Sequence, residues 1–159
     1  RSPYAQYPVL GELALFEWTL GLAFDAAEAD AVSFDEVTAV PAPAWPRMRF
    51  TPHASLHVLD LYTSAVAIWK DIDIKKSFEV ELSRKPVVWA IWRKQRAPFF
   101  RSLDDDEAWA LKTIYSNANF GDICGGLCEW HAEAEAAARA AGMLRGWIDE
   151  GWIAALRFD

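Results

Sequence analysis

The stretch Val87-Val-Trp-Ala-Ile-Trp-Arg-Lys-Gln-Arg-Ala-Pro-Phe-Phe-Arg-Ser-Leu103 decides how the rest of the chain is read. Val87 to Trp92 is an unbroken apolar run of strand length, rich in β-branched and aromatic side chains. Phe99 to Leu103 has the same character. The connection Arg93–Pro98 holds no glycine and ends in a proline, so it predicts a loop longer than a tight two-residue turn. The two runs are expected to pair as a β-hairpin. Strand alternation then sends one of Phe99 and Phe100 inward and the other outward.

Three helical signals follow. Asp104 or Asp105 suits an N-cap, with acids in the first turn and Trp109, Leu111 and Ile114 behind them. Asn117-Ala118-Asn119 closes that helix. Gly121 to Trp130 predicts a second, short helix weakened by Gly125 and Gly126. Ala132 to Glu150 predicts a third and longest, with Ala136, Ala140, Met143, Leu144, Trp147 and Ile148 on one face and Gly151 as its stop. Trp152 to Phe158 reads as a closing strand.

On the N-terminal side, Leu13, Phe16, Leu20, Ala23 and Phe24 recur at helical spacing and place a helix over about 9–28. A short helix is expected after Ser33, and Pro41, Pro43 and Pro46 then break regularity. Arg47 to Thr51 alternates as a half-buried strand, Leu56 to Leu61 suits another, and Ser64 to Trp69 suits a helix. Residues 71–86 are polar and read as a loop. The class is therefore α+β. Residues 1–83 form a lead region of helix and small strands. Residues 84–159 form a hairpin followed by three helices, the order of a winged helix permuted so that the wing comes first. The two regions are read as separate modules or as one compact unit.

The 159 residues carry 53% apolar and 25% charged side chains, with nine Trp, nine Phe and four Tyr, enough for a core without disulfides. No apolar run is long enough for a transmembrane helix, and no signal peptide is visible. No membrane partner is expected. The chain begins at Arg1 and reads as a mature or trimmed piece. Two cysteines, Cys124 and Cys128, fit a reducing compartment at least as well as an oxidising one, and the cytoplasm is the default expectation.

The net charge of −7 is unevenly spread: residues 1–103 sum to zero, and residues 104–159 hold four basic and 11 acidic residues. Arg84, Lys85, Arg93, Lys94, Arg96 and Arg101 fall within 18 residues that contain no acid. Duplex DNA is bound through Lys and Arg on its phosphates, and a recognition helix must enter the major groove. The third helix, with Glu133, Glu135, Asp149 and Glu150 against Arg139 and Arg145, would be repelled there. The same layout suits an extended peptide added to the edge of the hairpin. The residues expected to line such a groove are Phe99, Phe100, Arg101 and Leu103 on the second strand and Arg139, Met143 and Trp147 on the third helix.

Cys124, Cys128 and His131 fall at i, i+4 and i+7 of one possible helical face. That is a thiophilic metal set without a fourth ligand, so no metal is expected. His53, beside Pro52, reads as a loop residue, and His57 sits in strand or turn. No phosphate loop, serine elbow or dense carboxylate cluster in an apolar setting is present, so no catalytic residue and no cofactor is expected, and the chain is read as a non-enzyme.

Three stretches carry a resemblance. They are Leu10-Gly-Glu-Leu-Ala-Leu-Phe-Glu-Trp18 with Ala23-Phe-Asp-Ala-Ala27; Trp45-Pro46 through Phe50-Thr-Pro-His-Ala-Ser-Leu56 to Val66-Ala-Ile-Trp69; and Val88-Trp-Ala-Ile-Trp-Arg93 through Arg101-Ser-Leu-Asp104 to Trp147-Ile-Asp-Glu-Gly-Trp-Ile153. Together they resemble the C-terminal half of HvfC/BufC-type proteins, a bacterial family often labelled as DNA-binding. The resemblance implies a partner subunit that binds a ribosomally made precursor peptide. It would present that peptide to a TIM-barrel, multinuclear non-haem iron oxidative enzyme. The alternatives are a DNA-binding transcriptional regulator, the class that the family label suggests, and a small metal-binding protein using the cysteine pair.

Overall fold

Five strands and six α-helices carry the structure, a computed structural model that describes residues 7–71 and 79–158. In chain order they are α1 (Pro8–Asp25), α2 (Phe34–Thr38), a 3-10 helix (Ala42–Arg47), β1 (Arg49–Pro52), β2 (His57–Thr63), α3 (Ala65–Asp71), β3 (Leu82–Lys94) and β4 (Ala97–Leu103). Then come α4 (Asp105–Tyr115), α5 (Phe120–Gly126), a short 3-10 turn (Leu127–Glu129), α6 (Glu133–Asp149) and β5 (Ile153–Arg157). The α+β class is as expected. Residues 72–78, part of the expected 71–86 loop, lie outside the described residues, and β3 begins at Leu82, within that stretch.

The chain divides into two compact units, each built from two separate stretches. Residues 1–25 and 57–103 form the first, and residues 26–56 and 104–159 the second. A boundary at 83/84 differs from this division, because strand pairing between distant segments decides it. β3 pairs antiparallel with β2 as well as with β4, so the hairpin belongs with α1. β5 pairs antiparallel with β1, which ties the three C-terminal helices to residues 26–56.

In the first unit the sheet order is β2-β3-β4. Phe16, fully buried on α1, meets Trp69 and Phe100 edge-on with ring centroids 5.4 and 5.0 Å away, within the core of Ala23, Leu61, Val66 and Ile91. Edge-to-face contact is the arrangement that aromatic quadrupoles favour. Arg93 closes the far end of α1: its Nη1 donates to the Phe24 carbonyl at 2.7 Å. A cation at a helix C-terminus satisfies an orphan carbonyl and complements the dipole.

The hairpin connection differs from expectation. Lys94 pairs with Ala97, leaving a two-residue turn, with Gln95 at φ 50° and Arg96 at φ 65°. Two positive φ values are the signature of a type I′ turn, whose twist matches the strands. Neither residue is glycine or asparagine, which is why the sequence hides it. The long β3–β4 register holds the turn in place.

In the second unit, α4, α5 and α6 pack with the β1–β5 ribbon. The expected cap at Ser33 is present: Ser33 Oγ accepts the Glu36 amide at 3.3 Å, and the Glu36 carboxylate accepts the Ser33 amide at 2.8 Å. The prolines at 41, 43 and 46 do not abolish regularity but are accommodated in the 3-10 helix, with Trp45 against Phe120. Gly151 takes φ 72°, and the Trp152 amide donates to the Trp147 carbonyl at 2.8 Å, ending α6 where the sequence places its stop.

Candidate functional site

The expected groove residues fall in different units, β4 in the first and α6 in the second, and each set is taken by itself. β4 is an edge strand. With Lys94 and Ala97 flanking a two-residue turn, the β4 positions 97, 99, 101 and 103 direct their backbone groups to β3. Phe100 and Ser102 therefore direct N–H and C=O to the outer side, where the Ser102 carbonyl accepts from Arg101 Nη1 at 3.4 Å, and Pro98, which has no N–H, sits at an outward position where none is missed. Ser102 is exposed.

The opposite edge of this sheet is covered at the C-terminal end of β2. Glu12 on α1 accepts the Tyr62 amide at 2.8 Å, the Thr63 amide at 2.9 Å and the Thr63 hydroxyl at 2.6 Å. One carboxylate thus covers the end of β2, a common way of blunting an edge strand.

Side chains alternate along β4 as expected. Phe100 points into the core against Phe16, Trp69 and Trp89, and Lys70 Nζ lies 5.2 Å from its ring centroid. Phe99 is 44% exposed and stacks on Trp92 at 6.0 Å. Arg101 is half-buried and Leu103 buried. Of the four β4 residues, Phe99 and Arg101 keep surface for a ligand, while Phe100 and Leu103 are framework.

The α6 residues need correction. Met143 is 4% exposed and Trp147 1%, so both are core side chains. Trp147 Nε1 donates to Glu107 at 3.0 Å. Arg139 is engaged with buried Asp106 through Nε at 2.8 Å and Nη2 at 2.9 Å. The apolar stripe that marks a groove wall equally marks a helix face turned to its own core, and here it is the latter.

That polar network is what the sequence reading missed. Asp106 also accepts from His131 Nε2 at 2.7 Å and from the Glu107 amide at 2.7 Å. The Arg139 side-chain hydrogen bonds, with those of His131 and Glu107 and the Arg139 charge, hold its carboxyl well below the usual range against the opposing effect of burial. The acids after Asp104 read as helix-dipole residues. The available signal was that Asp106 lies four residues before Ala110, on the apolar face of α4.

Cys124, Cys128 and His131 do not continue one helical face. α5 ends at Gly126 and passes into a 3-10 turn, Cys128 Sγ donates to the Cys124 carbonyl at 3.6 Å, and His131 turns to Asp106. Among the described residues no three His, Cys, Asp or Glu side chains gather as metal ligands. His53 is buried, with Nδ1 accepting the Ser55 amide at 3.1 Å. Nε2 therefore carries the proton and donates to the Ala29 carbonyl at 3.1 Å, so this histidine fastens a loop. Among the described residues no helix is long and apolar enough to cross a membrane.

Comparison with known protein families, curated proteins and solved structures finds no match to this chain.

Proposed function

We propose that the chain is a non-catalytic subunit that binds an extended peptide along the outer edge of β4 and presents it to a partner enzyme. The observation that carries this reading is the contrast between the two edges of one sheet. The β2 end is covered by Glu12, whereas β4 turns the backbone groups of Phe100 and Ser102 outward. An added strand would take its affinity from those groups and its selectivity from alternate side chains. Phe99 and Arg101, which share one face of β4, are the side chains placed to read it. Lys94 and Arg96 at the turn favour an acidic peptide and would raise its association rate more than its final affinity. The nature of the partners rests on the resemblance to HvfC/BufC-type proteins, which supports a ribosomally made precursor peptide and an iron-dependent oxidative enzyme in the cytoplasm.

A displayed library of extended peptides tests the edge directly. Binders should be enriched in acidic residues and should lose binding to a Ser102→Pro variant, which removes one outward N–H at an edge position that tolerates proline. Selected peptides that bind Ser102→Pro and the unaltered chain equally would overturn the reading. Co-purification of an iron-containing enzyme with a cysteine-containing small peptide tests the identity of the partners.

A further inference from the structure

A cavity of about 470 Å³ in the second unit is lined by Arg47, Arg49, Asn119, Leu156, Arg157 and Phe158. Its size is within the range of small-ligand pockets. Three of the six lining residues are arginines, in the unit that holds the acidic third of the chain, and no Asp or Glu lines it among the described residues. Arg49 and Arg157 are direct cross-strand partners in the β1–β5 ribbon. Like charges directly opposite each other destabilise a ribbon. An anion between them would remove that penalty.

The arginines are also oriented in advance. Asn117 follows α4 with φ 64°, a left-handed conformation uncommon for a residue with a side chain. In that conformation it serves both guanidiniums: Arg49 Nη1 donates to its backbone carbonyl, and Arg157 Nη2 donates to its Oδ1 at 3.0 Å. Each guanidinium has five donors in a fixed fork, so these bonds leave donors for a ligand. Asparagine is a usual residue for this left-handed cap at a helix end, and here the cap fixes both guanidiniums beside the pocket. Arg47 comes from a third element, the 3-10 helix, and Phe158 supplies an exposed ring at the rim.

We propose that this pocket binds a small organic phosphate, its phosphoryl oxygens held by Arg47, Arg49 and Arg157 and its organic part set against Phe158 and Leu156. Planar guanidinium forks match phosphate oxygens bidentately, which favours phosphate over a point-charge interaction. The volume of this partly open pocket exceeds what a bare phosphate needs and leaves space for a flat organic group. The acidic surroundings, net −7 over residues 104–159, work against a long polyanion at the same place. This site is independent of the β4 edge and stands or falls without it.

Titration of the purified chain with phenyl phosphate, inorganic phosphate and phenol, followed by calorimetry and backbone NMR, tests the proposal. Phenyl phosphate should saturate one site, shift the Arg49, Arg157 and Phe158 resonances, and bind several-fold more tightly than inorganic phosphate. Phenol should not saturate it. Arg157→Gln and Arg49→Gln should each weaken phenyl phosphate by about 10-fold, the loss of one charged hydrogen-bonding partner. Because both arginines also brace Asn117, Arg47→Gln supplies a variant free of that role and should weaken binding as well. Phe158→Ala should remove the preference over inorganic phosphate, and Arg84→Gln, at an exposed position of β3, should leave phenyl phosphate binding unchanged. The proposal is overturned if phenyl phosphate does not saturate, or if it binds all the arginine variants like the unaltered chain. It is equally overturned if only duplex DNA binds, with the steep salt dependence of phosphate-backbone contact.

Discussion

Replacing Asp106 with asparagine keeps the shape of the side chain and removes the charge at the centre of the α4–α6 network. The carboxylate accepts four hydrogen bonds, two from Arg139 at 2.8 and 2.9 Å and one each from His131 and the Glu107 amide, both at 2.7 Å. Asparagine retains one acceptor oxygen and turns an NH2 towards at least one of these donors. A hydrogen bond to a charged partner is worth about 1.5–3 kcal/mol, and stranding a buried donor costs a similar amount. Arg139 remains about a third exposed and can rehydrate, which places the net loss near the lower end, about 2 kcal/mol. Because the network lies within one of two compact units, local hydrogen exchange is the measurement that reads it directly. Amides of Asp105–Tyr115 and Glu133–Asp149 should exchange about 30-fold faster in Asp106→Asn, with those of β2–β4 unchanged.

The same variant carries a pH signature. Arg139 above all holds the Asp106 carboxyl below its ordinary range in the folded protein. The unfolded chain, with a carboxyl near 3.9, takes up the proton first as pH falls. The stabilisation is therefore complete above about pH 4 and is lost progressively as pH drops towards the depressed native value. Asp106→Asn should flatten that acid limb in the second unit. An exchange change below 3-fold at neutral pH, or an unchanged acid limb, would refute the assignment of Asp106 as the hub.

Three further outcomes are expected. A Cβ at Gly126 would overlap the Trp109 indole, itself packed on Trp130, so Gly126→Ala should destabilise the second unit by roughly 1–3 kcal/mol in urea unfolding. Gly125, with open space around it, should accept alanine with a gain of roughly 0.5–1 kcal/mol. Phe100→Asp buries a charge among Phe16, Trp69 and Trp89 and should unfold the first unit by circular dichroism, whereas Phe99→Asp should leave it folded. Exchanging Gln95-Arg96 for Asn-Gly, the pair suited to two positive φ values, should slow exchange of the β3–β4 amides by an amount equivalent to about 1 kcal/mol.

What the sequence made legible was whatever depends on neighbours in the chain. The α1 periodicity, the Ser33 cap, the β3 and β4 runs, the Gly151 stop and the closing strand all appear near their expected places, because caps and hydrophobic periods act within one or two turns. What it did not show was partnership. The pairing of Arg49–Pro52 with Ile153–Arg157 spans about a hundred residues, and no local pattern in either segment names the other. That one ribbon decides the division into units and brings Arg49 opposite Arg157. The same limit governs the candidate site. Met143 and Trp147 form an apolar stripe whether α6 faces a ligand or its own core, and their burial, with the Trp147–Glu107 hydrogen bond, decides for the core. The β4 edge could be inferred from two apolar runs, but its contrast with β2 depends on Glu12, which covers the end of that strand from about fifty residues away. Periodicity thus locates a strand, and its neighbours determine whether its edge is available to a peptide.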